Sequence, residues 1–317
     1  MQNKMNQFIE IRKRTLLSFC LVCAILTLLM WIALIQVPSQ GYAYLGADIN
    51  QTLNTTVNIT NAQPEVKEVR LDDPIDLEAY GNKTVYCNAT VFDWDNDSVT
   101  VNASIFIEGL ADPTSGTDNN YHYQNVSCTR TTPQDREMNY ACSVQMAYYA
   151  FNSSNWICNV SVEDDEGAYS TNTSDYSTVN TLIALYVPGV LNFGELAVND
   201  VSTDKLANIT NAGNINASIS VEGWGATKGD GLAMNCTYGS IDVEYERYNH
   251  TTTGLDWETE LTPLTNESKL IQNFLIHQRF DDTSTDDSTN TTYWQLKIPP
   301  GAGGICNGKI LFTAGSS

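Results

Sequence analysis

The sequence predicts an all-β protein: two tandem immunoglobulin-like β-sandwich domains behind an N-terminal transmembrane or signal segment. Three observations carry this prediction. Long stretches alternate apolar and polar residues with period two, as half-buried strands do. Turns rich in Gly, Asn and Asp separate them, with little sign of a helical period. Beyond the N-terminal apolar run there are six cysteines, four in the first half and two in the second, and even numbers suit disulfides closed within each sandwich.

The first element is the N-terminus. Residues 1–14 carry Lys4, Arg12, Lys13 and Arg14 and read as a cytoplasmic basic segment, because basic residues ahead of an apolar run stay inside. Residues 15–37 hold an uncharged apolar run of 22 residues from Leu16 to Val37. A spanning helix needs about 20 residues and a secretory core about 7–15. Gly41 and Ala43 nevertheless offer a cleavage site after Ala43, so anchor and signal both stand, and each puts the remainder outside. Arg14 runs directly into Thr15-Leu16-Leu17, without the small residue of a pilin-type leader. Cys20 and Cys23 lie within the apolar run and read as unpaired thiols. Residues 38–63 read as a glycosylated stalk, although Ile49, Leu53, Val57 and Ile59 would also let this segment add a strand to a neighbour's sheet.

The rest of the chain divides into 64–186, an immunoglobulin-like sandwich, and 187–317, a second sandwich, with the boundary at Val187-Pro188-Gly189. In the first, Val85, Cys87, Ala89 and Val91 form an inward row opposite Thr84, Tyr86, Asn88 and Thr90. Val99, Val101, Ala103, Ile105 and Ile107 form the next, with Thr100, Asn102 and Ser104 outward. Trp156, Cys158, Val160 and Val162 alternate with Asn159, Ser161 and Glu163. In the second, Ile215, Ala217, Ile219 and Val221 point inward, Met234, Cys236 and Tyr238 share a face, and Trp294, Leu296 and Ile298 share another. Residues 266–280 allow a short helix, but Phe274, Ile276 and Phe280 fit strand parity better.

The net charge of the 317 residues is −21, and from Asp48 onward it is −24. Such a surface repels phosphate backbones and anionic headgroups, which excludes nucleic acid as a partner. Charged residues make up only 17%, too few for charge-driven disorder. Asn-x-Ser/Thr triplets begin at Asn50, Asn54, Asn58, Asn82, Asn88, Asn96, Asn102, Asn125, Asn152, Asn159, Asn172, Asn208, Asn216, Asn235, Asn249, Asn266 and Asn290. Chance placement in a chain of this composition gives roughly six, so the 17 present indicate a surface selected for glycan attachment.

Four cysteines in the first half allow three connectivities. Cys87 and Cys158 both lie on inward faces of long strands and are paired on that ground, leaving Cys128 with Cys142. Cys236 then pairs with Cys306 in the second half. Metal binding through sulfur or imidazole is not expected, because there is no Cys-x-x-Cys and His122, His250 and His277 are scattered.

Cys87, the turn Asp93-Trp94-Asp95-Asn96-Asp97, and Trp156-Ile157-Cys158 followed by Asp164-Asp165-Glu166-Gly167 together resemble the immunoglobulin-like and PKD-like β-sandwich modules of archaeal secreted surface proteins. The resemblance covers residues 64–186. It departs from antibody domains, whose core Trp follows the first Cys, whereas Trp156 precedes the second Cys by two. The second half is more loosely similar to modules that open with a Leu-x-Phe-Gly strand (Leu191 to Gly194) and an Asn-x-Gly-Asn turn (Asn211 to Asn214). The resemblance implies envelope, adhesion or filament architecture without catalysis.

An immunoglobulin-like topology brings the loop after Cys87's strand and the loop after Cys158's strand to one end. Asp93, Asp95, Asp97, Asp164 and Asp165, with Glu166, would then converge as an oxygen-only Ca²⁺ site; the plainer alternative is a solvated acidic hairpin. Asp281-Asp282 and Asp286-Asp287 read as a solvated loop, and Pro299 to Gly304 as a turn rather than a phosphate loop. Tyr148, Tyr149 and Phe151, beside Asn152, read as strand packing, with an aromatic binding patch as the alternative. No nucleophile elbow or HExxH occurs, so no enzyme is expected. The functional expectation is a glycosylated cell-surface or extracellular protein, structural or adhesive. It would hold the membrane through residues 15–37 if uncleaved, with other surface proteins or glycans as partners. The alternatives are a subunit of an extracellular filament assembled by strand addition and a carbohydrate-binding accessory module.

Overall fold

The computed structural model describes residues 25–26, 52–125, 128–281 and 288–317. The expectations for residues 1–14, for nearly all of 15–37, and for Cys20, Cys23, Asn50, Asp282, Asp286 and Asp287 lie outside the described residues. Among the described residues, no helix is long and apolar enough to cross a membrane. The protein is all-β, and Ile59–Ser317 forms a compact unit containing two sandwiches.

The first sandwich uses β1 (Glu65–Leu71), β2 (Asn82–Phe92), β3 (Val99–Ile107), β4 (His122–Asn125), β5 (Thr129–Arg130), β6 (Glu137–Ala147), β7 (Ser153–Asp164), β8 (Tyr169–Thr173) and β9 (Ser177–Val179). One sheet runs β1-β2-β6-β5 and the other β4-β3-β7-β8, with β9 also on β7. All these pairs are antiparallel. This is the A-B-E-D against C-F-G order of immunoglobulin-type sandwiches, with β4 added outside the C-equivalent β3.

The facing rows from β2, β3 and β7 are buried as their alternation requires, apart from the half-buried Val99 at the start of β3, and Cys87 on β2 is bonded to Cys158 on β7 across the two sheets. Each large apolar side chain buried contributes about 1.5–3 kcal/mol. A one-residue slip of β7 would expose Trp156, Val160 and Val162 together, so the core fixes the register. Ser104, expected to face water, is buried instead: β4 pairs alongside β3, and the buried His122 side chain that it carries lies against the Ser104 hydroxyl. Its Oγ lies 2.5 Å from His122 Nε2, and His122 Nδ1 lies 3.1 Å from the Gly116 carbonyl. A carbonyl only accepts, so Nδ1 carries the proton and Nε2 accepts from the Ser104 hydroxyl.

The second sandwich uses β10 (Leu185–Tyr186), β11 (Lys205–Asn211), β12 (Ala217–Trp224), β13 (Leu232–Tyr238), β14 (Ser240–Asp242), β15 (Glu246–Asn249), β16 (Thr262–Pro263), β17 (Lys269–Ile276), β18 (Thr289–Leu296), β19 (Gly303–Asn307) and β20 (Lys309–Ser316). Its sheets run β10-β11-β18-β15-β16, β17-β12-β20 and β14-β13-β19. β10 pairs with Thr210 and Asn211, so this sandwich's strands begin just before Val187-Pro188-Gly189. Residues 269–276 are a strand, with Phe274 and Ile276 buried and Phe280 exposed beyond its end. Tyr238 does not share the half-buried setting of Met234 and Cys236. The β13–β19 ladder shifts register between Cys236 and Tyr238, and the tyrosine turns out to water.

The two sandwiches meet at the Asn211-Ala212-Gly213-Asn214 turn. Tyr80 N donates to Ala212 O at 3.3 Å, and Asn214, fully buried, bonds to main-chain groups of residues 150, 180 and 182. Gly213 is required by this approach: a Cβ there would lie 2.1 Å from the Leu182 carbonyl oxygen.

Candidate functional site

The loop after β2 and the loop after β7 lie side by side because β3 begins by pairing Val99 with Asp164. Carboxylate oxygens of Asp97, Asp165 and Glu166 lie within 4.8 Å of one another. Beneath the first loop Asp93 is fully buried, and its Oδ2 accepts from Asp97 N at 2.9 Å while Oδ1 has no donor. Burial, contact with the Asp95 carboxyl and the charges of Asp95 and Asp97 raise the Asp93 carboxyl to about 6. Asp95 is held low by the bond to Asp93. The bond to Asp165, burial, and the charges of Asp165 and Asp97 raise Glu166 to about 7.

Asp164 does not join the group. Its Oδ1 accepts from Ala168 N at 2.7 Å and its Oδ2 from Asn61 Nδ2 at 3.1 Å, so it shapes its own turn and holds the entering chain. Ala62 N donates to Asp95 Oδ2 at 2.6 Å beside it. Of the expected ligands, Asp97 and Asp165 converge, Asp93 and Asp95 form an adjoining pair, and Asp164 is otherwise engaged. Glu166 completes the trio. Its place was legible in the acidic run 164–166, whereas the role of Asn61 had no sequence signal.

A second feature is a groove of about 550 Å³ in the second sandwich, lined by Phe193, Ala207, Trp224, Glu246, Ile310 and Phe312 among others. β10 reaches only the last two residues of β11, and β20 pairs only with β12, so among the described residues both strands have unpaired edge. Glu246 is 2% exposed, and its burial alone pushes the carboxyl up to about 8.

Tyr148 and Tyr149 are buried, Tyr148 beside Tyr80, which stacks on Tyr186 at 5.2 Å. The Arg279 guanidinium lies 5.1 Å from the Tyr149 ring centre. These rings pack where the sandwiches meet. Among glycan acceptors, Asn54, Asn58, Asn82, Asn88, Asn96, Asn208 and Asn235 are exposed, while Asn102, Asn125, Asn152, Asn159, Asn172, Asn216, Asn266 and Asn290 are half-buried. Asn249 breaks the pattern. It is buried, with Oδ1 accepting from Thr251 N and Thr252 N and Nδ2 enclosed.

No family model and no curated protein matches the chain. Among solved structures, it is similar to a chain of a chaperone–tip adhesin complex described as vital for synergistic activation of CFA/I fimbriae biogenesis. The identity is 11%, covering 77% of this chain and 78% of that one, with a TM-score of 0.26.

Proposed function

We propose that the protein is a glycosylated extracellular or cell-surface protein with a structural or adhesive role, carried on an N-terminal anchor or released by a signal segment. The observation that carries this reading is the joint placement of cysteines and acceptors. Three disulfides, Cys87–Cys158, Cys128–Cys142 and Cys236–Cys306, suit an oxidising compartment. Among the described residues, the acceptor asparagines other than Asn249 are half-buried or exposed. The immunoglobulin-type strand order supports the same reading. A non-catalytic role fits the Ser104–His122 pair, since both residues are sealed from any substrate. Surface biotinylation of intact cells and glycopeptide mapping test the proposal. Labelled chain with sugar at Asn88, Asn208 and Asn235 is expected; an unlabelled chain with bare peptides at all three would overturn it.

The groove favours a second reading, a filament subunit assembled by strand addition. The occupant would be residues 49–60 of another copy. Ile49, Leu53, Val57 and Ile59 share one parity and the acceptors Asn50, Asn54 and Asn58 the other, so an apolar face can enter while the sugars face out. No charge lies between Asp48 and Glu65, which lets this segment approach an acidic partner without repulsion. Deleting residues 50–62 should abolish concentration-dependent assembly; unchanged oligomer size would remove this reading.

A further inference from the structure

We propose that the glycan on Asn82 folds back into the hollow beside it, where its first sugar stacks on Tyr80 and bonds to Arg279 of the second sandwich, so that the modification braces the joint between the two. This inference rests on the reading of the chain as a glycoprotein and adds to it what one particular sugar touches. Asn82 opens β2, is exposed, and begins the triplet Asn82-Lys83-Thr84. It stands in the wall of a hollow of about 510 Å³, inside the range of about 300–1,000 Å³ usual for small-ligand sites. Tyr80, Tyr148 and Tyr149 share that wall with Asn119, Gln145 and Arg279. A sugar ring has faces of C–H groups and a rim of hydroxyls, which suits a wall mixing aromatic rings with polar side chains.

Tyr80 points to the occupant. Its backbone is left-handed, with φ +56°, a conformation that bulky residues rarely adopt. Gly81, which could adopt it without strain, stands next in the chain. Strain of this kind gathers where a side chain is held in place for a purpose. The Tyr80 ring packs on Tyr148 and Tyr186, with ring centres 5.6 and 5.2 Å away, yet the residue stays 57% exposed. An exposed ring is thus fixed two residues before an acceptor in the same wall.

The polar part of the wall comes from both sandwiches. Gln145, on β6, donates to Thr84 Oγ1 at 2.9 Å, which holds its amide beside the acceptor triplet. Arg279 follows β17, and its guanidinium, a group that only donates, suits sugar oxygens. Covalent attachment keeps the sugar at high effective concentration, so contacts too weak to capture a free sugar suffice. Asn88 and Asn172 also border hollows, but the walls there carry Glu68 and Arg70 with one tyrosine each. A sugar seated at Asn82 would touch β2 and the segment after β17 together, close to the bond from Tyr80 N to Ala212 O.

The test compares the full chain with Asn82→Gln, each purified from cells that glycosylate it and from a host without N-glycosylation. Glycopeptide mapping should find sugar at Asn82. The glycosylated wild type should melt roughly 2–4 °C above glycosylated Asn82→Gln, and the two unglycosylated proteins should melt alike. In a Tyr80→Gly background, which suits the left-handed turn, Asn82 should keep its sugar and the difference should vanish. Hydrogen exchange reads the contact away from the acceptor: amides of residues 277–280 should exchange more slowly in the glycosylated wild type than in glycosylated Asn82→Gln, and Asn235→Gln should not change them. Bare Asn82, an equal Tm, equal exchange at 277–280, or a difference that survives Tyr80→Gly would each overturn the inference, while sugar at Asn88, Asn208 and Asn235 kept the glycoprotein reading standing. Bare peptides at all four would overturn both.

Discussion

The side-chain amide of Asn214 donates to the backbone carbonyl of Ala150 at 3.1 Å, and this bond ties the second sandwich to the first. The same amide donates to Asn180 O at 3.0 Å, and Asn214 Oδ1 accepts from Leu182 N at 2.7 Å. Removing the side chain strands one buried main-chain group, Ala150 O, at about 1–3 kcal/mol, and leaves two part-buried ones, Asn180 O and Leu182 N, to be met by water at a smaller cost. Asn214→Ala should therefore destabilise the protein by about 2–4 kcal/mol in chemical denaturation. Asn214→Ala and Gly213→Ala should be strongly non-additive, because they disrupt one joint.

Glu246 makes stability depend on pH in an unusual direction. Its carboxyl sits at about 8 in the folded chain, against an ordinary value of 4.5. The folded state therefore binds the extra proton between those two values, and stability falls as pH rises from about 4.5 to 8. Glu246→Gln should remove this slope. Its advantage over the wild type should be on the order of a few kcal/mol at pH 8 and near zero at pH 4, read from urea denaturation at each pH.

The disulfides should differ in their resistance to reduction. Cys87 and Cys158 are fully buried, whereas Cys236 and Cys306 are half-buried. Under native conditions with limiting reductant, mapping should show Cys236–Cys306 opening before Cys87–Cys158. Replacing Cys236 and Cys306 with Ala should cost about 4 kcal/mol on the chain-entropy model, for a separation of 70 residues.

Glycan occupancy should follow accessibility. Mass spectrometry of glycopeptides is expected to find sugar at Asn88, Asn208 and Asn235 and none at Asn249, whose Oδ1 caps the turn at Thr251 and Thr252. Asn249→Ala should lower Tm through loss of that cap, whereas Asn235→Gln should leave the Tm of the unglycosylated protein unchanged.

The strand rows of the first sandwich were legible because alternation is a local property: Val85 to Val91 and Trp156 to Val162 declare their buried face in a few residues. Pairing order is not local, and what it determines was harder to read. Ser104 looks outward on its own strand, yet it is buried, with the His122 side chain from neighbouring β4 against its hydroxyl. Tyr238 fits an apolar row until a register shift turns it out. The acidic turns announced a shared end, yet which oxygens are already taken depends on hydrogen bonds from Asn61 and Ala168 that no spacing rule reveals. Glu246 carries no motif at all, and its character comes wholly from what surrounds it.

All three partners of the Asn214 side chain are main-chain groups, of Ala150, Asn180 and Leu182. Backbone amides and carbonyls are present whatever side chain a residue bears. The joint can therefore be inherited through extensive replacement of the residues around it, provided Gly213 and Asn214 persist. Exposed positions can change one by one while the mutual setting of the two sandwiches is conserved.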